Sequence, residues 1–372
     1  MMGHTLDSCW ERLDQLEWRR EVSGPARVTY EDSGHPGWDA MRYVHRLLVI
    51  DEPWTQWHPD GFSWWGHTLE QRFRWEGPVD IDDLPTWFVA VETDFLRGVT
   101  DREAGSAFVN RWNASLEFGI GALVLEDDRI RLRSRTYVLP ESGEERARLI
   151  SSWGIIANAV VSQLARVHSA DPHELVALGI DPEWVVDARA HPVSGPRETP
   201  DEMLTVVGAV YQPEGREPAR ETIDLSLDQA VHDFMSKGID VIGGDFARTV
   251  MALWRTQYGL LTWQLERAYE HPALGYGVRS RLFVDLDGGP VVVSSALAEH
   301  LNALEWTAAY PLIGGGAWAV WADGGAPRLV YTAFSPNAEL RGRLAPLLAG
   351  NASFRGRWLD GVLVDALAQA AA

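Results

Sequence analysis

Two stretches of the chain, which start about 195 residues apart, carry the same order of signals for strands and helices. In the first, two strands precede a helix that carries Asn110, and two further strands follow across Ala122–Val138. In the second, the corresponding helix carries Asn302 and the following strands cover Ala317–Phe334. Repetition of a whole set of elements predicts two related domains. We expect an α+β fold in which each domain packs helices on an antiparallel sheet.

The register of the repeat is suggested by a shared Leu-Glu pair, which matches Leu69–Phe73 to Leu265–Tyr269. The spacing of Phe246–Arg255 fits either a helix or a buried strand, and the echo of the first copy favours a strand. We expect the first copy at residues 1–180, a linker rich in Pro, Asp and Arg at residues 181–200, and a divergent second copy at residues 201–372.

Other elements follow from local periodicity and turn residues. A capping box at Thr100–Glu103 predicts the start of the helix that carries Asn110. The apolar run Met41–Ile50 is rich in β-branched and aliphatic residues and indicates a strand. The remaining predictions are a helix at Thr5–Val22, a strand at Ala26–Glu31, a turn-rich loop at Asp51–Gly66, and helices at Glu144–His168, Leu227–Lys237 and Ser295–Trp306.

Composition limits the classes of partner. The net charge of −20 argues against nucleic acid, because phosphate binding needs clustered Lys and Arg, and it favours a basic or amphipathic protein client. No apolar run reaches the length of a membrane helix, and the N-terminus lacks the pattern of a signal peptide, so we expect a cytoplasmic protein. Cys9 is the only cysteine, which excludes an intrachain disulfide and a cysteine-built zinc site.

The N-terminal copy contains six tryptophans within 34 positions. Clustered indoles combine a large apolar surface with one hydrogen-bond donor, so they suit a wall that binds a peptide or a flat ligand. Trp64, Trp65 and Trp75 are the candidates for contact with a partner. The alternative is that the cluster fills a core beneath the Asp51–Gly66 loop.

Two histidines lie near this cluster. His58 and His67 flank it, and Glu92 and Asp94 fall on a neighbouring strand, which is a set of residue types that could bind a metal. The spacing matches no known metal signature, and histidines near aromatic residues are commonly structural. We therefore predict neither a metal nor another cofactor, and no catalytic residue. A small-molecule-binding protein or a metal-dependent enzyme that uses this pocket stays as the alternative function.

Four arginines alternate along one predicted strand, from Arg129 to Arg135. The period of two places their guanidinium groups on a single face of the sheet. Arg131 and Arg133 are the candidates for binding a partner's carboxylates. The alternative is a face that is neutralised by acidic residues of the same chain, among them Glu126 and Asp127.

The segments Phe108–Asn113 and Gly121–Leu132 resemble the YbjN family, which carries an Asn-x-Trp-Asn helix end followed by an acidic hairpin. This family belongs with the type III secretion (Tir) chaperone-like superfamily, TY-Chap. The second copy retains Asn302 within His300–Trp306, and Glu305 is expected at the position of Asn113. The tandem resemblance covers about two thirds of the chain.

The resemblance implies a bacterial, non-enzymatic protein that holds a client polypeptide segment. Chaperones of this superfamily commonly work as homodimers, so two copies in one chain imply an internal pseudo-dimer, present as a monomer or a homodimer. Binding is expected through sheet edges or apolar grooves. A structural subunit whose exposed aromatic residues are buried by oligomerisation is a further alternative.

Overall fold

The computed structural model describes both predicted copies in part. The described residues are 35–48, 55–64, 70–81, 83–115, 121–138, 172–179, 240–243, 249–255, 259–271, 275–286, 292–307, 315–322, 325–336 and 351–363. Outside them lie the predicted helices Thr5–Val22, Glu144–His168 and Leu227–Lys237, the strand Ala26–Glu31 and the linker at residues 181–200. The predicted domain boundaries therefore stay predictions.

Within the described residues, each half of the chain contributes six strands. The N-terminal half contains α1 (Pro36–Leu48), β1 (Thr55–His58), β2 (Gly61–Trp64), β3 (Gln71–Ile81), β4 (Leu84–Arg97), α2 (Arg102–Ser115), β5 (Ala122–Glu126), β6 (Arg129–Val138) and α3 (Pro172–Ala177). The C-terminal half contains β7 (Asp240–Gly243), β8 (Thr249–Arg255), β9 (Gly259–His271), β10 (Gly275–Leu286), α4 (Ser295–Thr307), β11 (Gly316–Trp321), β12 (Arg328–Pro336) and the helix α5 over residues 351–363.

The two sheets have the same topology. The N-terminal sheet has the order β1-β2-β3-β4-β6-β5, and the C-terminal sheet has the order β7-β8-β9-β10-β12-β11. Every strand pair in both sheets is antiparallel. In each half one central helix, α2 or α4, connects the fourth strand to the fifth. The predicted α+β fold with two related halves is confirmed, and the ambiguous segment Phe246–Arg255 forms strand β8 over its described residues.

A buried asparagine ties each central helix to the edge strand that follows it. Asn113 donates its amide N–H to the carbonyl of Leu123 and accepts the N–H of the same residue, both at 2.9 Å. Asn302 makes the same pair of bonds to Trp318, at 2.9 and 2.8 Å. Asn302 is therefore the equivalent of Asn113. The expectation that Asn302 matches Asn110 was wrong by one helical turn.

The strand registers extend this equivalence across both sheets. When the paired residues are followed from strand to strand, Leu123 leads to Gln71 in the N-terminal half. In the same way, Trp318 leads to Trp263 in the C-terminal half. The predicted match of Leu69–Phe73 to Leu265–Tyr269 was therefore wrong by four residues. Gly121 and Gly316 also become equivalent, and each is required by close packing. A side chain at either position would collide with the backbone carbonyl of the neighbouring strand.

Two local predictions in the N-terminal half are corrected. The predicted strand Met41–Ile50 lies largely in helix α1, where Met41, Val44 and His45 are buried at helical spacing. Their common face packs on the sheet, and this packing outweighs the preference of the aliphatic run for a strand. The predicted loop Asp51–Gly66 contains the hairpin of β1 and β2.

The start of α2 also differs from the predicted capping box. The side chain of Asp101 accepts the backbone N–H of Ala104 at 3.0 Å, so Asp101 is the N-cap. The predicted cap, Thr100, instead donates its hydroxyl to the carbonyl of Gly179 at 3.4 Å.

In the C-terminal half the larger apolar core lies on one face of the sheet. In the C-terminal half, the fully buried Trp263 and Trp318 pack with Leu301 of α4 and Leu359 of α5. The buried carboxylate of Glu305, on α4, forms an ion pair with Arg355 on α5. This charge pair connects both helices to the sheet, because Arg355 also donates to the Tyr331 hydroxyl at 2.7 Å.

The two halves contact each other through their central helices. Helix α2 packs on β11 and on α4, and α4 packs in turn on β5, so each helix touches the inner edge strand of the opposite half. Asn110 accepts the backbone N–H of Val320 at 2.8 Å, which satisfies a donor at the edge of the C-terminal sheet. The hydroxyl of Ser106 donates to the Glu299 carboxylate across the same interface. The two halves therefore contact each other through both helices and the strand edges beside them.

The asparagine bridges are expected to be the most sensitive polar positions of the fold. Asn113→Ala and Asn302→Ala each leave a buried backbone N–H and C=O without a partner, so each should lower the free energy of unfolding by about 2–4 kcal/mol. Asn110→Ala removes one half-buried hydrogen bond and should cost about 1 kcal/mol. Denaturant unfolding measures all three. Equal losses for Asn110 and Asn302 would contradict the proposed role of the bridges.

His45 should make the stability depend on pH. Burial lowers the pKa of His45 from 6.5 to about 4, so the unfolded chain binds a proton between these values while the folded chain does not. Stability therefore falls as the pH drops from 6.5 towards 4, by up to about 3 kcal/mol. His45→Gln lacks this contribution. The stability difference between parent and variant should shrink across this window in unfolding titrations, and a constant difference would contradict the assignment.

Candidate functional site

The two tryptophans described among the predicted partner contacts lie against the core of the N-terminal half. Trp64 is 4% exposed and packs against Phe73, with ring centroids 6.3 Å apart. Trp75 is half-buried beneath the start of α1, where His35 meets its ring edge-on at 4.3 Å. Trp65 lies outside the described residues. For Trp64 and Trp75 this placement favours the alternative in which the cluster forms part of the core.

The arginines of β6 lie on one face of the sheet, as their period predicts. Arg131 donates to Asp94 at 2.8 Å and to Glu126 at 3.3 Å. Arg133, which is 6% exposed, binds Glu126 with both terminal nitrogens and Glu92 at 3.2 Å. These intramolecular ion pairs, which we call the charge lattice, use the groups that were the candidates for binding a partner.

The charge lattice is also covered from above. The indole of Trp306, at the end of α4, lies over the guanidinium groups of Arg133 and Arg74, at 4.7 and 5.3 Å. The backbone carbonyl of Glu305 accepts a hydrogen bond from Arg135 at 3.4 Å. The outer face of the N-terminal sheet therefore serves the contact between the halves.

The described members of the candidate metal-binding set of the alternative function, His58, Glu92 and Asp94, do not form a metal-binding group. The His58 ring is hydrogen-bonded to the Ser63 hydroxyl at 2.9 Å, and Ser63 donates to Glu70 at 2.9 Å. Glu92 and Asp94 belong to the charge lattice, and His67 lies outside the described residues. Among the residues that the structure describes, no group of three or more His, Cys, Asp or Glu is arranged to hold a metal ion.

A groove lies on the equivalent outer face of the C-terminal sheet. We call it the outer groove, and its volume is about 580 Å³. Its walls are Met251, Leu253, Thr262, Gln264, Arg281, Phe283, Asp285, Trp321, Gly325, Ala326 and Arg328. The groove crosses strands β8 to β11, and Ala114 of α2 packs on the apolar cluster at its inner end. It therefore offers an apolar surface beside a few charged groups.

The outer groove exists because the charge lattice is absent from this half. By the strand registers, Arg281 occupies the place of Glu92, and Phe283 occupies the place of Asp94. Trp321 takes the place of Glu126 in the same way. Three carboxylates that neutralise arginines in one half are thus one cation and two aromatic rings in the other.

Arg281 is the least neutralised cation of the outer groove. Its side chain is 13% exposed, one terminal nitrogen donates to Gln264 at 2.9 Å, and Glu266 lies 3.9 Å away. The buried Nε of Arg281 has no hydrogen-bond acceptor among the described residues. The guanidinium lies 5.1 Å from the Phe283 ring and 5.7 Å from the Trp321 ring. Aromatic rings therefore occupy much of the space around the guanidinium that a carboxylate would otherwise fill.

The pKa values express the difference between the two faces. Burial and the charge of Arg279 lower the pKa of Arg281, and Glu266 offsets only part of that effect. Burial opposes the charge of Arg131 as well, but the carboxylates around it outweigh burial and raise its pKa. A ligand that brings a negative charge would complete the environment of Arg281 as the charge lattice completes that of Arg131.

The sequence contains this site only indirectly. Strand β10 carries Arg279, Arg281, Phe283 and Asp285 at a period of two, which indicates one mixed face. What makes Arg281 distinctive is the neutral pair beside it, Gln264 and Thr332, and these come from other strands. Only the strand registers reveal that pairing.

The two faces should respond differently to loss of an arginine. Arg133→Met removes the cation that Glu92 and Glu126 share and leaves them only their contacts with Arg74 and Arg131, so the free energy of unfolding should fall by about 2 kcal/mol. Arg281→Met removes a poorly neutralised charge and should leave stability within about 1 kcal/mol of the parent. Denaturant unfolding compares the variants directly. A loss at Arg281 as large as that at Arg133 would show that its charge is already satisfied.

The chain matches no protein-family model, and comparisons with the curated proteins and with the solved structures found no significant match. None of the helices that the structure describes has the length and apolar composition needed to cross a bilayer. Function is therefore inferred from the geometry of the chain and from the differences between its two halves.

Proposed function

We propose that the chain is a non-enzymatic, cytoplasmic protein that holds an extended segment of a client polypeptide in the outer groove. The single observation that carries this proposal is the groove of about 580 Å³, whose apolar walls surround an incompletely neutralised arginine. Grooves that combine apolar walls with a few polar groups are typical binding sites.

The shape of the outer groove favours a short stretch of polypeptide. It runs across five adjacent strands, in the order β8, β9, β10, β12 and β11, which covers about 19 Å at the usual strand spacing. An extended chain rises about 3.3 Å per residue, so the groove accommodates about six residues. Alternate side chains of such a segment would face Phe283 and Trp321, which gives the contact its apolar component.

The pseudo-dimer supports the same function. The resemblance to the secretion-chaperone-like superfamily implies a dimer of this fold, and here α2 and α4 make the corresponding contact within one chain. Asn110 occupies an edge donor of β11, so this inner edge is less suited to adding a second chain. We therefore propose that the protein acts as a monomer with an internal pseudo-dimer.

The outer groove is preferred over the charge lattice as the client site. In the N-terminal half the arginines already have carboxylate partners, and Trp306 lies over them. A client carboxylate would have to displace Glu92 or Glu126. In the outer groove the guanidinium of Arg281 has only a long contact with Glu266, at 3.9 Å, so a client carboxylate would compete with a weaker ion pair.

Photocrosslinking from the groove tests the proposal. A benzophenone amino acid at Ala326, an exposed wall residue, should give discrete adducts with other proteins in living cells of the native host. The same probe at Ala107, which is exposed on α2, is the matched control. Trp321→Asp should abolish the Ala326 adducts, because it places a charge against the apolar wall.

Mass spectrometry of the adducts decides the outcome. Adducts from Ala326 that map to one contiguous segment of each client, and that disappear in the Trp321→Asp background, support the proposal. Absence of adducts, or the same adducts from Ala107, overturns it. Release of a tightly bound small molecule from the purified protein, lost in Trp321→Asp, would favour the small-molecule alternative instead.

A further inference from the structure

We propose that Arg281 selects client segments by binding one carboxylate of the segment between the aromatic walls of the outer groove. This inference rests on the proposed function and states the chemistry that the groove recognises. It differs from the general expectation of a basic or amphipathic client, because the local charge of the groove is opposite to that of the whole chain.

The first support is the rung of the sheet on which Arg281 lies. Its cross-strand neighbours are Gln264 and Thr332, and neither carries a charge. In the N-terminal half the same rung is Arg72, Glu92 and Arg133, in which a carboxylate lies between two cations. The C-terminal half therefore places a cation where the duplicated unit otherwise places an anion, without supplying the opposite charge on either side.

The second support is the charge balance around the groove. Arg279 donates to Glu266 at 2.8 Å, and Arg328 donates to Asp285 at 2.7 Å, so both carboxylates are engaged. The nearest carboxylate to Arg281 is Glu266, at 3.9 Å, and Arg279 already binds it. Among the described residues of this face, three arginines face two carboxylates, which leaves one positive charge for a ligand.

The third support is the environment in which that charge lies. Phe283 is buried at the base of the groove and Trp321 forms part of its wall, so the guanidinium meets little water on these sides. An ion pair formed against apolar walls is stronger than one in open solvent. Guanidinium groups bind carboxylates with directed, charge-assisted hydrogen bonds, which suits selection of one functional group.

The same features disfavour highly charged ligands. The groove has one surplus positive charge, and the whole chain has a net charge of −20, which repels polyanions. A single carboxylate beside apolar side chains fits both conditions. The carboxylate can come from an internal Asp or Glu of the client or from a chain terminus, and the experiment below distinguishes these sources.

Fluorescence anisotropy with defined peptides tests the inference. The probe is a labelled hexapeptide with Leu-Glu-Trp-Leu at its centre and blocked ends, and the comparison peptide carries Gln in place of Glu. The Glu peptide should bind the parent protein about tenfold more tightly than the Gln peptide. A third peptide with Gln and a free C-terminal carboxylate after Leu reports a preference for chain ends.

Two arginine variants assign the effect. In Arg281→Met the Glu and Gln peptides should bind equally, because the cation is gone while the apolar walls remain. Arg279→Lys is the matched control, since it changes an arginine on the same face but keeps the positive charge that pairs with Glu266. It should keep the preference for a carboxylate. Far-UV circular dichroism checks that both variants are folded.

The outcomes separate this inference from the proposed function. Preference for Glu, or for the free terminus, that is lost in Arg281→Met supports a carboxylate site. Equal binding of all three peptides to the parent protein overturns the inference and leaves a purely apolar client site. No binding of any peptide overturns the inference, and the proposed function then stands or falls with the crosslinks from Ala326.

Discussion

The bidentate hydrogen bonding of Asn113 and Asn302 is the constraint on which the rest of the architecture depends. Each asparagine satisfies both backbone groups of one residue on the following edge strand, and so fixes the position of its helix along that strand. Once α2 and α4 are held in this way, their exposed sides reach the opposite half. Asn110, one turn before Asn113, then meets the backbone of Val320. The contact between the halves thus depends on a pair of hydrogen bonds inside each half.

The two outer faces show what the duplicated scaffold leaves free to vary. Inner-face residues are fixed by packing against helices, so in the C-terminal half Trp263 and Trp318 are fully buried. Outer-face residues are not constrained by this packing. In the N-terminal half they form the charge lattice, which supports the contact with Trp306. In the C-terminal half the same strand positions form the outer groove. One face is used for assembly within the chain, and the other is open to a ligand.

The fold class could be predicted from the sequence because the order of strands and helices survives divergence, and the hairpin of β5 and β6 was predicted almost to the residue. The register of the repeat could not. Gln71 is equivalent to Trp263, and Leu123 is equivalent to Trp318. In each pair the two residues differ chemically, so the sequence alone does not align them. Helix α1 was missed because its aliphatic run also fits a strand, although Met41, Val44 and His45 had helical spacing. The site was missed because an unneutralised Arg281 is a property of three strands together.

Fusion of the two copies in one chain explains how a binding charge can exist without weakening the whole assembly. In a symmetric homodimer both outer faces have the same sequence, so replacing Glu92 by an arginine would remove a carboxylate from Arg133 twice. In the tandem chain the replacement occurs once, at Arg281, while Arg131 and Arg133 keep their partners. The loss of stability caused by an incompletely neutralised cation is then confined to one face. On that face the aromatic rings of Phe283 and Trp321 contact the guanidinium of Arg281. Two related halves with different sequences therefore permit a difference in charge between the outer faces that strict symmetry opposes.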